Sequence, residues 1–96
     1  MATYRLSRAA EDDLARLYRR GIQEFGVNQA DRYFDGLIAR FEQVATDPDT
    51  YPAVDHIRSG YRRSVYGAHS IYYRMGEDRV EIMRILGREN TAGKLD

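Results

Sequence analysis

Between Ala10 and Ala45 apolar residues return every three or four positions, and between Ile57 and Leu86 they alternate with polar ones, so the chain changes period once. The first rhythm belongs to helices and the second to strands. Ala10, Leu14, Leu17, Tyr18, Ile22 and Phe25 make one stripe, with Asp12, Asp13, Arg16, Arg19, Arg20 and Gln23 mostly outside it. Ser7 stands where an N-cap belongs. Glu11, Asp12 and Asp13 follow in the first turns, where the helix dipole favours negative charge, and Gly26 can take the positive φ of a C-cap. A second stripe, Ala30, Tyr33, Phe34, Leu37, Ile38, Phe41, Val44 and Ala45, predicts a second helix with Asn28 as its cap. So short a turn makes the pair an antiparallel hairpin, whose apolar faces require a sheet to cover them. Gly36 costs the second helix about 1 kcal/mol relative to alanine, which predicts a close approach to the first helix at that point.

Thr3 to Leu6 alternates, with Tyr4 and Leu6 on one face of a short opening strand. The run from Asp47-Pro48 to Tyr51-Pro52 closes the second helix, because proline removes a backbone donor and biases its predecessor towards extended geometry. Residues 57–65, 70–75 and 79–86 then read as three strands of an antiparallel meander, joined by turns at Gly67-Ala68 and at Gly76 to Asp78. Alternation sets Tyr61, Arg63 and Val65 against Arg62 and Ser64, and Ile71, Tyr73 and Met75 against Ser70, Tyr72 and Arg74. In the last strand it sets Val80, Ile82 and Arg84 against Glu81, Met83 and Ile85, so one face packs on the helices and the other is wetter. The order β-α-α-β-β-β predicts a single α+β domain over 1–96: an antiparallel helical hairpin packed on a small antiparallel sheet, with 87–96 as a polar tail.

Ninety-six residues allow one hydrophobic core. The absence of cysteine excludes disulfides and thiolate metal sites and fits a reducing compartment. No apolar run approaches the roughly 20 residues of a membrane span, and the opening lacks the apolar region of a secretory signal, so a cytoplasmic protein without a membrane partner is expected. The net charge is zero but unevenly laid out. Residues 1–56 carry seven arginines against ten acids, and residues 57–96 carry eight basic residues against five acids, so the positive surplus falls on the strands. Fourteen of the fifteen cations are arginine, which suits planar, bidentate recognition of carboxylate or phosphate; an arginine-rich genome gives the same bias. Arg58, Arg62, Arg63, Arg74, Arg84 and Arg88 are therefore candidates to grip a partner, against the alternative of a solvated face whose ion pairs contribute little.

Phosphodiester cleavage by a ribose hydroxyl needs a proton acceptor, a proton donor and cations on the phosphate. The cations are present, but the histidines are only His56, in the loop after Pro52, and His69, which alternates with Ile71 and Tyr73 and reads first as an orienting or partly buried side chain. Tyr61, Tyr66, Tyr72 and Tyr73 lie among the strand arginines. They suit a half-buried pleated surface best, partner contact next and base stacking least, given zero net charge and no basic stripe. No catalytic set, no metal, no cofactor and no direct nucleic-acid binding are expected.

This order resembles the ParE toxins of the RelE/ParE toxin superfamily over nearly the whole chain. The words that carry the likeness are Tyr4-Arg-Leu-Ser7, Ala10 with Asp13-Leu14, Phe25-Gly26, Asp47-Pro48, Gly60-Tyr-Arg-Arg63, Ile71-Tyr-Tyr-Arg74, Val80-Glu-Ile82 and Arg84-Ile-Leu86. The resemblance implies the toxin of a bacterial type II toxin–antitoxin pair, neutralised by a ParD-like antitoxin and acting on DNA gyrase by protein binding. Within it, an acidic, partly disordered antitoxin tail is expected to fold along the hairpin, meeting Leu14, Leu17 and Tyr18 together with Arg58, Arg62 and Arg74. Arg84 and Arg88 are the expected target-binding residues. Two alternatives stand beside it: a RelE-like, metal-independent, ribosome-dependent mRNA endoribonuclease, and a degenerate toxin homologue acting only with its antitoxin in operon repression. Where ParE relatives often place a histidine directly after the last strand this chain has Gly87, and the polar candidates for chemistry beyond Leu86 are Arg88, Glu89, Asn90 and Lys94, which weakens the nuclease alternative most.

Overall fold

The computed structural model describes residues 3–87. Strand β1, Tyr4–Leu6, half-buries Tyr4 and Leu6 and exposes Arg5, as its alternation predicts. Ser7 ends it and starts helix α1, Arg8–Phe25: its hydroxyl accepts from the Ala10 amide at 3.0 Å while donating to the Met83 carbonyl at 2.8 Å. One residue thus caps a helix and ties it to the sheet.

Gly26, at φ +87°, closes α1 and also opens α2, Val27–Thr46. Because the reversal takes one residue, Asn28 already lies inside the first turn, and the expected Asn28 cap is replaced by a start without a side-chain cap. The hairpin is antiparallel. The Tyr18 hydroxyl meets the Asp31 carboxylate at 2.5 Å, the Tyr18 and Phe34 rings pack edge to face, and Gly21 lets Ala30 come close. Gly36 does not serve this seam. Its missing side chain makes room for the hydroxyl of Tyr66 from the sheet, into which any Cβ at position 36 would collide.

A 3₁₀ turn, Pro48–Thr50, follows α2, and its Pro48 carbonyl accepts from the buried Tyr73 hydroxyl at 2.6 Å. Burial pushes that phenol up to about 12. The expected strand from Ile57 begins later, because the Asp55 carboxylate accepts from the Gly60 amide, Gly60 takes φ +82°, and Val54 bonds Tyr61 across a closed loop. The sheet strands are β2, Arg62–Tyr66, β3, His69–Met75, and β4, Val80–Gly87. β4 therefore includes Gly87, and 88–96 of the expected tail lie outside the described residues.

The meander of β2, β3 and β4 is antiparallel as expected, but the sheet as a whole is mixed. Its order is β1-β4-β3-β2, with β1 parallel to β4 through Tyr4 opposite Val80 and Leu6 opposite Ile82. The hairpin and the first two meander strands supply the long crossover that parallel pairing requires. A second departure lies in β4. Tyr72 opposes Arg84 and Tyr73 opposes Ile82, so Met83 is the extra residue of a bulge. Below it the alternation shifts by one, and Ile85, not Arg84, joins Val80 and Ile82 in the core against Ala10, Leu14, Leu37, Phe41 and Val44. The far face is drier than expected: the 52–61 loop folds over it, and Val54, Tyr61, Tyr72 and Leu86 form a second buried cluster. Among the described residues no helix is long and apolar enough to cross a membrane.

Candidate protein-docking site

Because β1 is three residues long, β4 runs on past it with an unpaired edge. Asp13 fills the vacancy. Its carboxylate accepts from the Ile85 amide at 3.0 Å and from Arg84 Nε and NH2 at 2.7 and 2.9 Å, and Arg16 closes on the same group. The residue is 2% exposed, which a carboxylate tolerates only when its oxygens are satisfied in this way. The hydrogen bond to Asp13 raises the Arg84 guanidinium pKa further.

A cleft of about 580 Å³ opens beside this junction. α1 supplies Arg16, Leu17, Arg20, Gly21 and Phe25, α2 supplies Gln29, Ala30 and Tyr33, and the sheet supplies Ala68, His69 and Ile85 to Gly87. Its floor is apolar and its α1 rim carries two exposed arginines. Phe25 is 60% exposed beside it, and Val27 next along the chain is 53% exposed.

A second junction closes the opposite wall. The Tyr33 hydroxyl from α2 accepts from the Ala68 amide at 3.2 Å, lies 3.0 Å from the Tyr66 carbonyl oxygen and 2.7 Å from His69 Nδ1. Burial pushes the Tyr33 phenol up and the His69 imidazole down, the latter helped by the Arg20 charge. Arg40 buttresses the same corner, its guanidinium over the rings of Tyr51 and Tyr66 and its NH1 donating to Ser64 Oγ and the Val65 carbonyl.

The residues singled out from the sequence fall in separate places. Leu17 lines the cleft, Leu14 lies in the core, and Tyr18 belongs to the hairpin seam. Arg58 stacks over Tyr61, and Arg62 donates to the Tyr51 carbonyl at 2.6 Å, both tying down the 52–61 region. Arg74 meets Glu81 at 2.8 Å on the outer sheet, with Arg5 on the other carboxylate oxygen. Arg84 is engaged by Asp13, and Arg88 lies outside the described residues. His69 sits in the cleft as the orienting, partly buried side chain expected of it, but sequence reasoning missed the rest of the cleft's polar set: Asp13, Arg16 and Arg20, spaced three and four apart on α1, with Tyr33 across from them. His56 is exposed, and among the described residues no group of three His, Cys, Asp or Glu side chains is arranged to hold a metal ion.

The geometry can be set beside known proteins. The family model described as "ParE toxin of type II toxin-antitoxin system, parDE" matches residues 4–91. A protein of Caulobacter vibrioides named Toxin ParE1 is 40% identical over 92 residues, spanning 96% of this chain and 95% of that one. A Mycobacterium tuberculosis protein of the same name is 34% identical over 84 residues, 86% of each chain. The structure titled "Chromosomal ParDE TA system from P. aeruginosa" shares the fold at a TM-score of 0.78 and 17% identity, covering 91% of this chain and 96% of that one. The toxin–antitoxin complex RelBE2 of M. tuberculosis shares it at a TM-score of 0.62 and 18% identity, covering 91% and 98%.

Proposed function

This chain belongs to the ParE family and is the toxin of a type II toxin–antitoxin system, and from that premise we propose that a ParD-like antitoxin neutralises it by seating an acidic, amphipathic segment in the α1–α2–β4 cleft. The observation that carries the proposal is the cleft's composition: a floor of Leu17, Ala30 and Ile85 under a rim of Arg16 and Arg20. An amphipathic helix laid in such a groove buries its apolar anchors and sets its carboxylates against the guanidinium groups. Leu17 is then the antitoxin contact foreseen from the hairpin stripe. Arg58, Arg62 and Arg74 border a different surface, which suits the remainder of a long, wrapping partner.

Freed of its antitoxin, the toxin acts in the cytoplasm on DNA gyrase, by binding and without breaking bonds, through Arg84 at the end of the sheet and through Arg88. Support for binding over cleavage comes from His69, whose Nδ1 is engaged by Tyr33 in a structural corner. A supercoiling assay with purified gyrase tests the reading: the free chain is expected to inhibit, and stoichiometric antitoxin to restore activity. Intact gyrase activity with messenger cut on translating ribosomes would establish the nuclease instead. A chain that binds its antitoxin yet leaves both processes untouched would be left with operon repression alone.

A further inference from the structure

The hydrogen count at the Tyr33 hydroxyl closes in only one way. A phenol carries one hydrogen and has lone pairs to accept others, an amide N–H only donates, and a carbonyl only accepts. With the Ala68 amide at 3.2 Å and the Tyr66 carbonyl at 3.0 Å, the phenolic hydrogen belongs to Tyr66. The contact to His69 Nδ1 at 2.7 Å is then a hydrogen bond only if Nδ1 carries the hydrogen. The reverse assignment, with the phenol donating to Nδ1, leaves no hydrogen between the phenolic oxygen and the Tyr66 carbonyl oxygen 3.0 Å away.

We infer that His69 is held as the Nδ1–H tautomer, and that its Nε2 is a specificity-determining acceptor in the cleft for a partner segment carrying a neutral hydrogen-bond donor, a hydroxyl or a carboxamide. The partner half of this inference rests on the reading that the antitoxin occupies this cleft. The surroundings select the donor's class. The side chains of Leu17, Ala30 and Ile85 offer no hydrogen bond, the guanidinium groups of Arg16 and Arg20 only donate, and the Gln29 carboxamide both donates and accepts. Asp13 and Glu24 are engaged by arginines, Asp13 by Arg84 and Arg16 and Glu24 by Arg20 at 2.9 Å. A lysine brought to Nε2 would meet the Arg20 charge that already disfavours imidazolium there, so a neutral donor fits where a cation does not.

Two-bond proton–nitrogen spectra of the ¹⁵N-labelled full chain, alone and with the ParD-like antitoxin of its own operon, test both halves. The free chain is expected to show Nδ1 protonated and Nε2 pyridine-like, and Tyr33→Phe to release a mixture of tautomers. Antitoxin is expected to shift the Nε2 resonance as it gains a donor. His69→Asn, which keeps a polar group near the Nδ1 position and loses Nε2, should bind antitoxin about tenfold more weakly at an unchanged thermal midpoint, and His69→Gln should recover part of the loss. An Nε2–H tautomer in the free chain overturns the assignment. Wild-type affinity in His69→Asn overturns the specificity role, and an antitoxin that does not bind the wild-type chain removes the partner reading while the free-chain spectrum still decides the tautomer.

Discussion

The two walls of the cleft are bolted to the sheet by opposite chemistry. On the α1 side a buried carboxylate gathers two guanidinium groups and an amide; on the α2 side a phenol, an imidazole, an amide and a carbonyl meet without a formal charge. A buried charge is tolerable only with its partners in place, so removing one member strands the rest. A neutral network loses one bond at a time, each worth about 1 kcal/mol. The charged junction therefore fixes the spacing of α1 from β4, and the neutral one adjusts what the opposite wall presents.

Asp13→Ala is the strongest way to break that contrast. It leaves the Ile85 amide without an acceptor and Arg84, whose side chain is 23% exposed, without its carboxylate, and should cost about 3–5 kcal/mol in urea-induced unfolding. Asp13→Asn keeps an oxygen for Ile85 but turns an NH2 group towards arginine, so an intermediate loss is expected. If alanine costs less than about 1 kcal/mol, the charged junction is not the stronger bolt.

Gly36→Ala probes the neutral wall through its support. Inside a helix, alanine is better than glycine by about 1 kcal/mol. Here the added methyl drives into the Tyr66 hydroxyl, and that ring is held between Tyr33 at 5.2 Å and Arg40 at 5.3 Å. Overpacking of this kind costs about 1–3 kcal/mol, enough to reverse the sign. The thermal midpoint should fall in the wild-type background and rise when Tyr66→Ala has first emptied the space. A rise in both backgrounds would mean that Tyr66 simply swings away.

The hairpin was legible because its signals are local: two stripes of the right period, Ser7 ahead of one and Gly26 between them. Asp13 was not, because the rule that sends helix carboxylates to water holds unless another element needs an acceptor, and that need arises from the length of β1 and the reach of β4, far apart in sequence. The same limit applies to Leu14, Leu17 and Tyr18. One apolar stripe contains all three, yet the sheet takes the first, the cleft borders the second and α2 takes the third. Gly36 announced a close approach but not the partner, which comes from the sheet instead of α1. Nothing in the alternation of 79–86 marks the Met83 bulge, and that single extra residue exchanges Ile85 for Arg84 on the helix-facing side. Fold class rests on patterns within a segment, whereas the cleft's polar set rests on where segments stop.

The smallest expected effect comes from pH and again separates the walls. His69 has its pKa lowered in the folded chain, by burial first and Arg20 second, so below the ordinary imidazole value near 6.5 the unfolded chain binds the proton more readily. Stability is accordingly flat above that value and falls as pH drops through it towards the folded value, because protonation favours the unfolded state. Urea midpoints between pH 8 and pH 5 are expected to decline in the wild type and to decline less in His69→Gln, which has no group titrating there. Parallel profiles would show that the imidazole takes up its proton in place, and that the α2 wall accommodates a charge as readily as the α1 wall does.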